Sequence, residues 1–259
     1  MRIIDKLPRT PKLNEKLVRM ITGLLFLRDA RLGNSENYGK IEPETVLQIM
    51  GNIAFLDDMF NGNKLNVEVS SVPRLVISGG INPAYRDNDN TKETALVKQL
   101  YTLGGKRDWN DVLTKPEAKI INDRLNQNKY NPFVANTYLE TTSTNLRENI
   151  TFSKERGFYT GAKNLYLFTT KENTLRAVAT ARKYLPDMKN ISSMSYTPTV
   201  PTMGVRVDED NWANTPISQS YVYGEFLRVV KYYETNEILL TESENSKMFS
   251  ILREFEKTK

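Results

Sequence analysis

The sequence contains neither cysteine nor histidine. Without cysteine there are no disulfides, no thiolate metal sites and no thiol nucleophile. Without histidine the commonest general base and the imidazole metal ligands go too, and with them any Ser-His-Asp triad or histidine-bound zinc. Chemistry is left to carboxylates, Lys, Tyr, Ser and Thr, or to a hard cation held by oxygen atoms. No dense Asp/Glu metal loop is present, so the expectation is no metal.

Long apolar runs are also missing. The best, "MITGLLFL" at 20–27, stands between Arg19 and Arg28 and is far too short to cross a bilayer. It lacks a signal peptide's basic start and small-residue cleavage site, and the chain reads as cytoplasmic with no membrane partner. Blocks of Lys and Arg are absent. The 36 basic residues are scattered among 31 acidic ones for a net charge of +5, the pattern of a solvated, slightly basic surface and a weak signal for a nucleic-acid groove. The oligomeric state is not readable from these features.

What is present is ordinary for a folded protein: 39% apolar and 26% charged residues in a chain of 259, enough for one large domain or a core with an appendage. "LNEKLVRMITGLLFLRDAR" places Leu13, Leu17, Met20, Ile21, Leu24 and Leu25 on one face of an amphipathic helix, ended by the polar connector "LGNSENYGK". Short apolar stretches then alternate with helical patterns. "TVLQIMGN" and "LVISGG" read as strands, "AFLDDMF" and "TKETALVKQLYTLGG" as helices. "KPEAKIINDRLNQ" is a helix opened by Pro116, and "TYLE" is a strand. "STNLRENITFSKERG" is a helix ended by Gly157, "NLYLFTT" a strand, "ENTLRAVATARKYL" a helix stopped before Pro186, and "ISSMSYTPTVP" a last strand. A helical tail begins near Ser218.

That alternation predicts an α/β protein, a Rossmann-like three-layer fold with a mostly parallel sheet and helices on both faces. The expected organisation is an N-terminal helical segment (1–43), an α/β domain (44–205) and a helical C-terminal region (206–259) packed on it. Residues 82–113 are polar enough to suggest a lid or insertion.

Parallel sheets bind ligands beyond the carboxyl ends of their strands. Standing there are Gly51 and Asn52; Ser78, Gly79 and Gly80; Glu140 with Thr144 and Asn145; and Thr170. Paired glycines permit either a tight turn or close approach of a ligand to the backbone. Asn145 followed by Glu148 has the spacing of a capping box, and a helix start there suits a phosphate or carboxylate. Glu117 and Glu140 are candidates for acid/base work; Glu117 near a helix start is equally a dipole-compensating charge. Arg176 is either a surface ion-pair partner or a charge facing the crevice. Neither a full G-x-G-x-x-G nor a Walker-type loop occurs.

In order, "VLQIMGN", "RLVISGG", "PEA", "YLETTSTNLREN" and "LFTTKENTLRAVATAR" resemble the YdcF-like family, over roughly residues 44–200. The resemblance is to its soluble branch. It departs from many members at 171–173, Lys-Glu-Asn here, where those carry a nearby histidine. The resemblance implies a fold like that of nucleotide-binding Rossmann-type proteins and a ligand of the S-adenosylmethionine kind. It also implies a crevice lined by Gly51, Asn52, Ser78, Gly79, Gly80, Glu117, Glu140, Thr144, Asn145, Asn149, Thr170 and Arg176.

Three functions stay open on the sequence. The first is a protein binding S-adenosylmethionine or another nucleotide-like anionic small molecule. The second is a transferase or hydrolase acting on a phosphorylated or glycosylated metabolite through a glutamate. The third is a non-catalytic regulatory module.

Overall fold

The computed structural model describes residues 3–8, 11–27, 44–50, 74–81, 114–127, 136–196, 199–200 and 205–257. The expected helices at 54–60 and 91–105, the expected lid at 82–113, and Gly51 and Asn52 lie outside these residues.

Five strands, β1 (Thr45–Met50), β2 (Arg74–Ser78), β3 (Thr137–Glu140), β4 (Asn164–Thr170) and β5 (Asn190–Tyr196), form one sheet. All are parallel, in the order β3-β2-β1-β4-β5. All six residues of β1 are buried, as a central strand covered on both faces requires. After β5 the chain forms a small antiparallel pair, β6 (Thr199–Val200) with β7 (Val205–Arg206).

Helices cover both faces. Val46, Met50, Val76, Leu165 and Leu167 share a core with Ile150 of α3 (Leu146–Glu155) and with Ala177, Val178 and Ala181 of α4 (Thr174–Tyr184). Alternation turns Leu47, Ile49, Leu75 and Ile77 to the opposite face. There α2 (Glu117–Gln127) packs on β2 and β3 and buries Ala118, Ile121 and Leu125. A Schellman turn ends α3: Gly157, at φ +73°, donates to the Lys154 carbonyl (2.9 Å) and Phe158 donates to that of Ser153 (3.0 Å).

A further helical layer lies outside α4. It comprises α1 (Glu15–Leu25), α5 (Pro216–Glu234) and α6 (Glu242–Lys257). Leu17, Ile21, Leu24 and Leu25 of α1 are buried with Trp212 and with Phe226, Val229, Met248 and Ile251, each contributing roughly 1.5–3 kcal/mol relative to exposure. This explains why α4 is rich in alanine. Ala177 and Ala181 face the sheet while Leu175 and Ala179 face the outer layer, and small residues let the helix be packed on both sides. Asn14 caps α1 by accepting from Leu17 N (2.9 Å).

The expected tail is two helices. Asn236, at φ +57°, lies just past the end of α5. Thr241 and Glu244 then start α6 with a reciprocal capping box, Thr241 N to Glu244 Oε2 (2.8 Å) and Glu244 N to Thr241 Oγ1 (3.3 Å).

Candidate functional site

Strand order reverses between β1 and β4, because β2 and β3 lie on one side of β1 and β4 and β5 on the other. At such a switch point the loops leaving the carboxyl ends part and open a crevice. The row across the carboxyl ends of the strands is polar except at Met50. The register sets Glu140 beside Ser78, Ser78 beside Met50, and Thr169 beside Ser195. All five residues are buried.

The Gly79–Gly80 pair is a main-chain clasp. Gly79 N donates to the Glu140 carbonyl (3.0 Å) and Gly80 N to that of Ser143 (2.6 Å). In return the Gly79 carbonyl accepts from Ala118 N (2.9 Å) and the Gly80 carbonyl from Glu117 N (3.1 Å). Gly79 sits at φ +149°, and a Cβ on Gly80 would stand 2.6 Å from the Ser143 oxygen. The glycines bring β2, the loop after β3 and the start of α2 together, and their amides do not stand open to an anion.

Glu140 is fully buried and turned into its own loop. Its carboxylate accepts from Thr142 N (2.7 Å), Thr142 Oγ1 (2.6 Å) and Ser143 N (3.2 Å). A carboxylate so engaged folds a loop and is poorly placed to exchange a proton with a substrate.

The start of α3 is also satisfied from within. Glu148 N donates to Asn145 Oδ1 (3.0 Å), the expected cap, while Glu148 Oε2 accepts from both Thr144 N and Thr144 Oγ1 (2.7 Å each). Burial raises the Glu148 pKa, but the hydrogen bonds from Thr144 outweigh it and hold the group below its ordinary value. The Glu148 carboxylate is thereby turned onto Thr144, just ahead of the helix.

Behind these lies a buried polar network that sequence reasoning did not find. Gln48, in the middle of β1, accepts from Tyr159 Oη (2.6 Å). It donates to Ser78 Oγ (2.9 Å), the Asn149 carbonyl (3.1 Å) and Ser153 Oγ (3.4 Å). Asn149 Oδ1 accepts from Ser143 Oγ. Burial pushes the Tyr159 phenol well above the usual tyrosine range, so it stays a neutral donor. The network ties α3 to β1 and β2. Its one sequence signal is a glutamine inside an otherwise apolar strand.

At the end of β4, Thr170 Oγ1 accepts from Asn173 Nδ2 (2.6 Å). Arg176 does not offer a free charge: Nε and Nη2 both donate to the buried carboxylate of Glu225 on α5, and Nη2 also donates to Asn173 Oδ1 (2.7 Å). Its guanidinium lies 5.7 Å from the Tyr232 ring. Arg176 thus stands in a part-buried ion pair and not in a surface one.

Glu117 differs from every other described candidate. Its amide is in the clasp, but its half-buried carboxyl has no hydrogen-bond or ion-pair partner among the described residues, and burial pushes it up to about 7. A carboxyl of that kind gives or takes a proton at neutral pH. The main chain brings Glu117 and Glu140 to the same pair of glycines, yet the Glu140 carboxylate is committed to its own loop.

Among the described residues no group of three or more His, Cys, Asp or Glu side chains is placed to hold a metal, and no helix is long and apolar enough to cross a membrane. A shallow cleft of about 250 Å³ lined by Arg182, Lys189 and Asn190 lies at the opposite, amino end of β5. The fold and the switch point define an α/β protein of the Rossmann-like class. No protein-family model matches the chain, and no curated protein matches it.

Proposed function

We propose that this chain is a cytoplasmic protein of the YdcF-like type that binds an adenosyl ligand, S-adenosylmethionine foremost, at the carboxyl ends of β1 and β4. The observation that carries the reading is the parallel order β3-β2-β1-β4-β5, whose reversal falls between those strands. The ordered motifs ending in "STNLREN" and "LFTTKENTLRAVATAR" supply the family, and its soluble branch supplies the location.

The charge of the ligand follows from what is already paired. Both glycine amides, the Thr144 amide ahead of α3 and Arg176 are occupied by groups of the protein. The described residues therefore favour a ligand bearing an amine, sulfonium or hydroxyls near Glu117 over one that needs its phosphates neutralised. Thermal unfolding with S-adenosylmethionine, S-adenosylhomocysteine and ATP in parallel tests this. Saturation at a hundredfold excess over Kd stabilises by about 2.7 kcal/mol, or roughly 5–10 °C for a chain of this size. Stabilisation by the adenosyl compounds and not by ATP is expected; no shift with any of them overturns the reading.

A second reading rests on Glu117 alone: a transferase or hydrolase on a phosphorylated or glycosylated metabolite, with Glu117 as acid/base. Glu117→Gln should then abolish turnover while leaving the fold and ligand affinity intact, and retained turnover defeats it.

A further inference from the structure

The cleft at the amino end of β5 lies at the opposite end of the sheet from the switch point, and the ligand reading does not use it. Its volume is about 250 Å³, and Arg182, Met188, Lys189, Asn190, Ile191 and Ser192 line it. Pockets that take drug-sized ligands run to roughly 300–1,000 Å³, so an occupant of this one is smaller. Met188 and Ile191 are half-buried and pack on the α/β core, which gives the cleft an apolar side.

Its polar side holds unspent donors. Lys189 is exposed, and its ammonium has no hydrogen-bond or ion-pair partner among the described residues. Arg182, in the last turn of α4, gives only Nη1 to Glu244, at 3.0 Å from Oε1 and 2.7 Å from Oε2. Glu244 is held to that edge of the guanidinium, because its Oε2 also accepts from Thr241 N (2.8 Å) in the capping box of α6. Arg182 Nε and Nη2 therefore have no acceptor among the described residues. Two N–H groups on one guanidinium edge match the two oxygens of a carboxylate.

The other negative groups here are engaged or stand apart. Lys154 Nζ donates to the Tyr184 carbonyl (2.9 Å) at the end of α4, where the helix dipole would repel an anion. Asp187, exposed in the turn that follows, pairs with neither cation.

We propose that this cleft binds a small monocarboxylate with a short apolar body. The carboxylate takes the Nε–Nη2 edge of Arg182 and the Lys189 ammonium, and the body lies on Met188 and Ile191. Arg182, Glu244 and Lys189 together carry one net positive charge. A single carboxylate neutralises it, whereas a phosphate monoester, at about −2, overshoots.

Butyrate is the probe, followed by ¹H–¹⁵N NMR of the full chain at constant ionic strength, beside butylphosphate and butylammonium. Saturable shifts are expected at the amides of 188–192 with butyrate, weaker ones with butylphosphate, and none with butylammonium. Lys189→Glu, a change at an exposed position, should weaken butyrate by about tenfold, the loss of one charge-assisted hydrogen bond. Lys189→Arg should bind as the parent does. Shifts that fail to saturate, or that persist unchanged in Lys189→Glu, overturn the site. Tighter binding of butylphosphate, or equal binding of butylammonium, overturns the assignment to a carboxylate.

Discussion

Gly80→Ala separates two uses of a diglycine at a strand end. The added Cβ would lie 2.6 Å from the Ser143 oxygen and 2.9 and 3.0 Å from the Thr142 carbonyl carbon and oxygen. All three atoms are main chain, so no side chain can swing aside. The strand end and the 140–143 loop must part, which weakens the Gly80–Ser143 bond (2.6 Å) and the Glu117–Gly80 bond (3.1 Å). Overpacking of this kind costs about 1–3 kcal/mol, and a loosened backbone hydrogen bond adds about 1 kcal/mol. The expected loss is about 3 kcal/mol, or roughly 6–12 °C in Tm, read by circular dichroism melts and urea midpoints without ligand. An unchanged Tm, with ligand-induced stabilisation abolished, would refute the reasoning. The glycines would then serve the approach of a ligand and not the clasp.

Three further outcomes follow from the buried polar groups. Tyr159→Phe leaves Gln48 Oε1 without its donor and should cost about 1–3 kcal/mol in urea unfolding; a neutral result would mean the network is not load-sharing. Arg176→Met leaves the buried Glu225 carboxylate with the exposed Arg228 (3.2 Å) as its remaining charge partner among the described residues and should cost up to about 3–5 kcal/mol, with most of that restored in the Arg176→Met, Glu225→Leu pair; a double variant as unstable as the single one contradicts the pairing. Glu172 prefers its proton in the folded state, at about 7 against 4.5 unfolded. Its stabilisation is full below pH 4.5 and is lost as pH rises to about 7, a change of about 3 kcal/mol. Urea midpoints should therefore fall between pH 5 and 8, and the fall should be smaller in Glu172→Gln.

The sheet was readable because its signals are periodic. "LVISGG" and "NLYLFTT" are apolar runs bounded by breakers, and the parallel pairing follows from the helices between them. The boundary within the tail was carried by short signals that a single helical reading passed over: an asparagine at a left-handed position and the Thr241-x-x-Glu244 spacing. The layer built from α1, α5 and α6 was not readable at all. Leu17 and Phe226 are far apart in sequence, and only the paired alanines of α4 hint that it must be packed on both sides.

The candidate site fared differently, and for one physical reason. The groups that hold an anionic ligand are the same groups that close a protein on itself: a free amide, a helix start, an arginine. Which use prevails depends on whether an acceptor of the same chain lies within about 3 Å, and that is a property of the fold. Glu148 is three residues from Asn145, so its competition for the helix start could be foreseen from spacing. Glu225 lies 49 residues from Arg176, and no local pattern reveals it. A carboxyl with a neutral-range pKa needs the reverse, burial without a partner, and sequence does not register missing partners. That is why the pattern that named Glu117 and Glu140 together as acid/base candidates could not separate them: the fold commits the Glu140 carboxylate to its own loop and leaves that of Glu117 without a partner among the described residues.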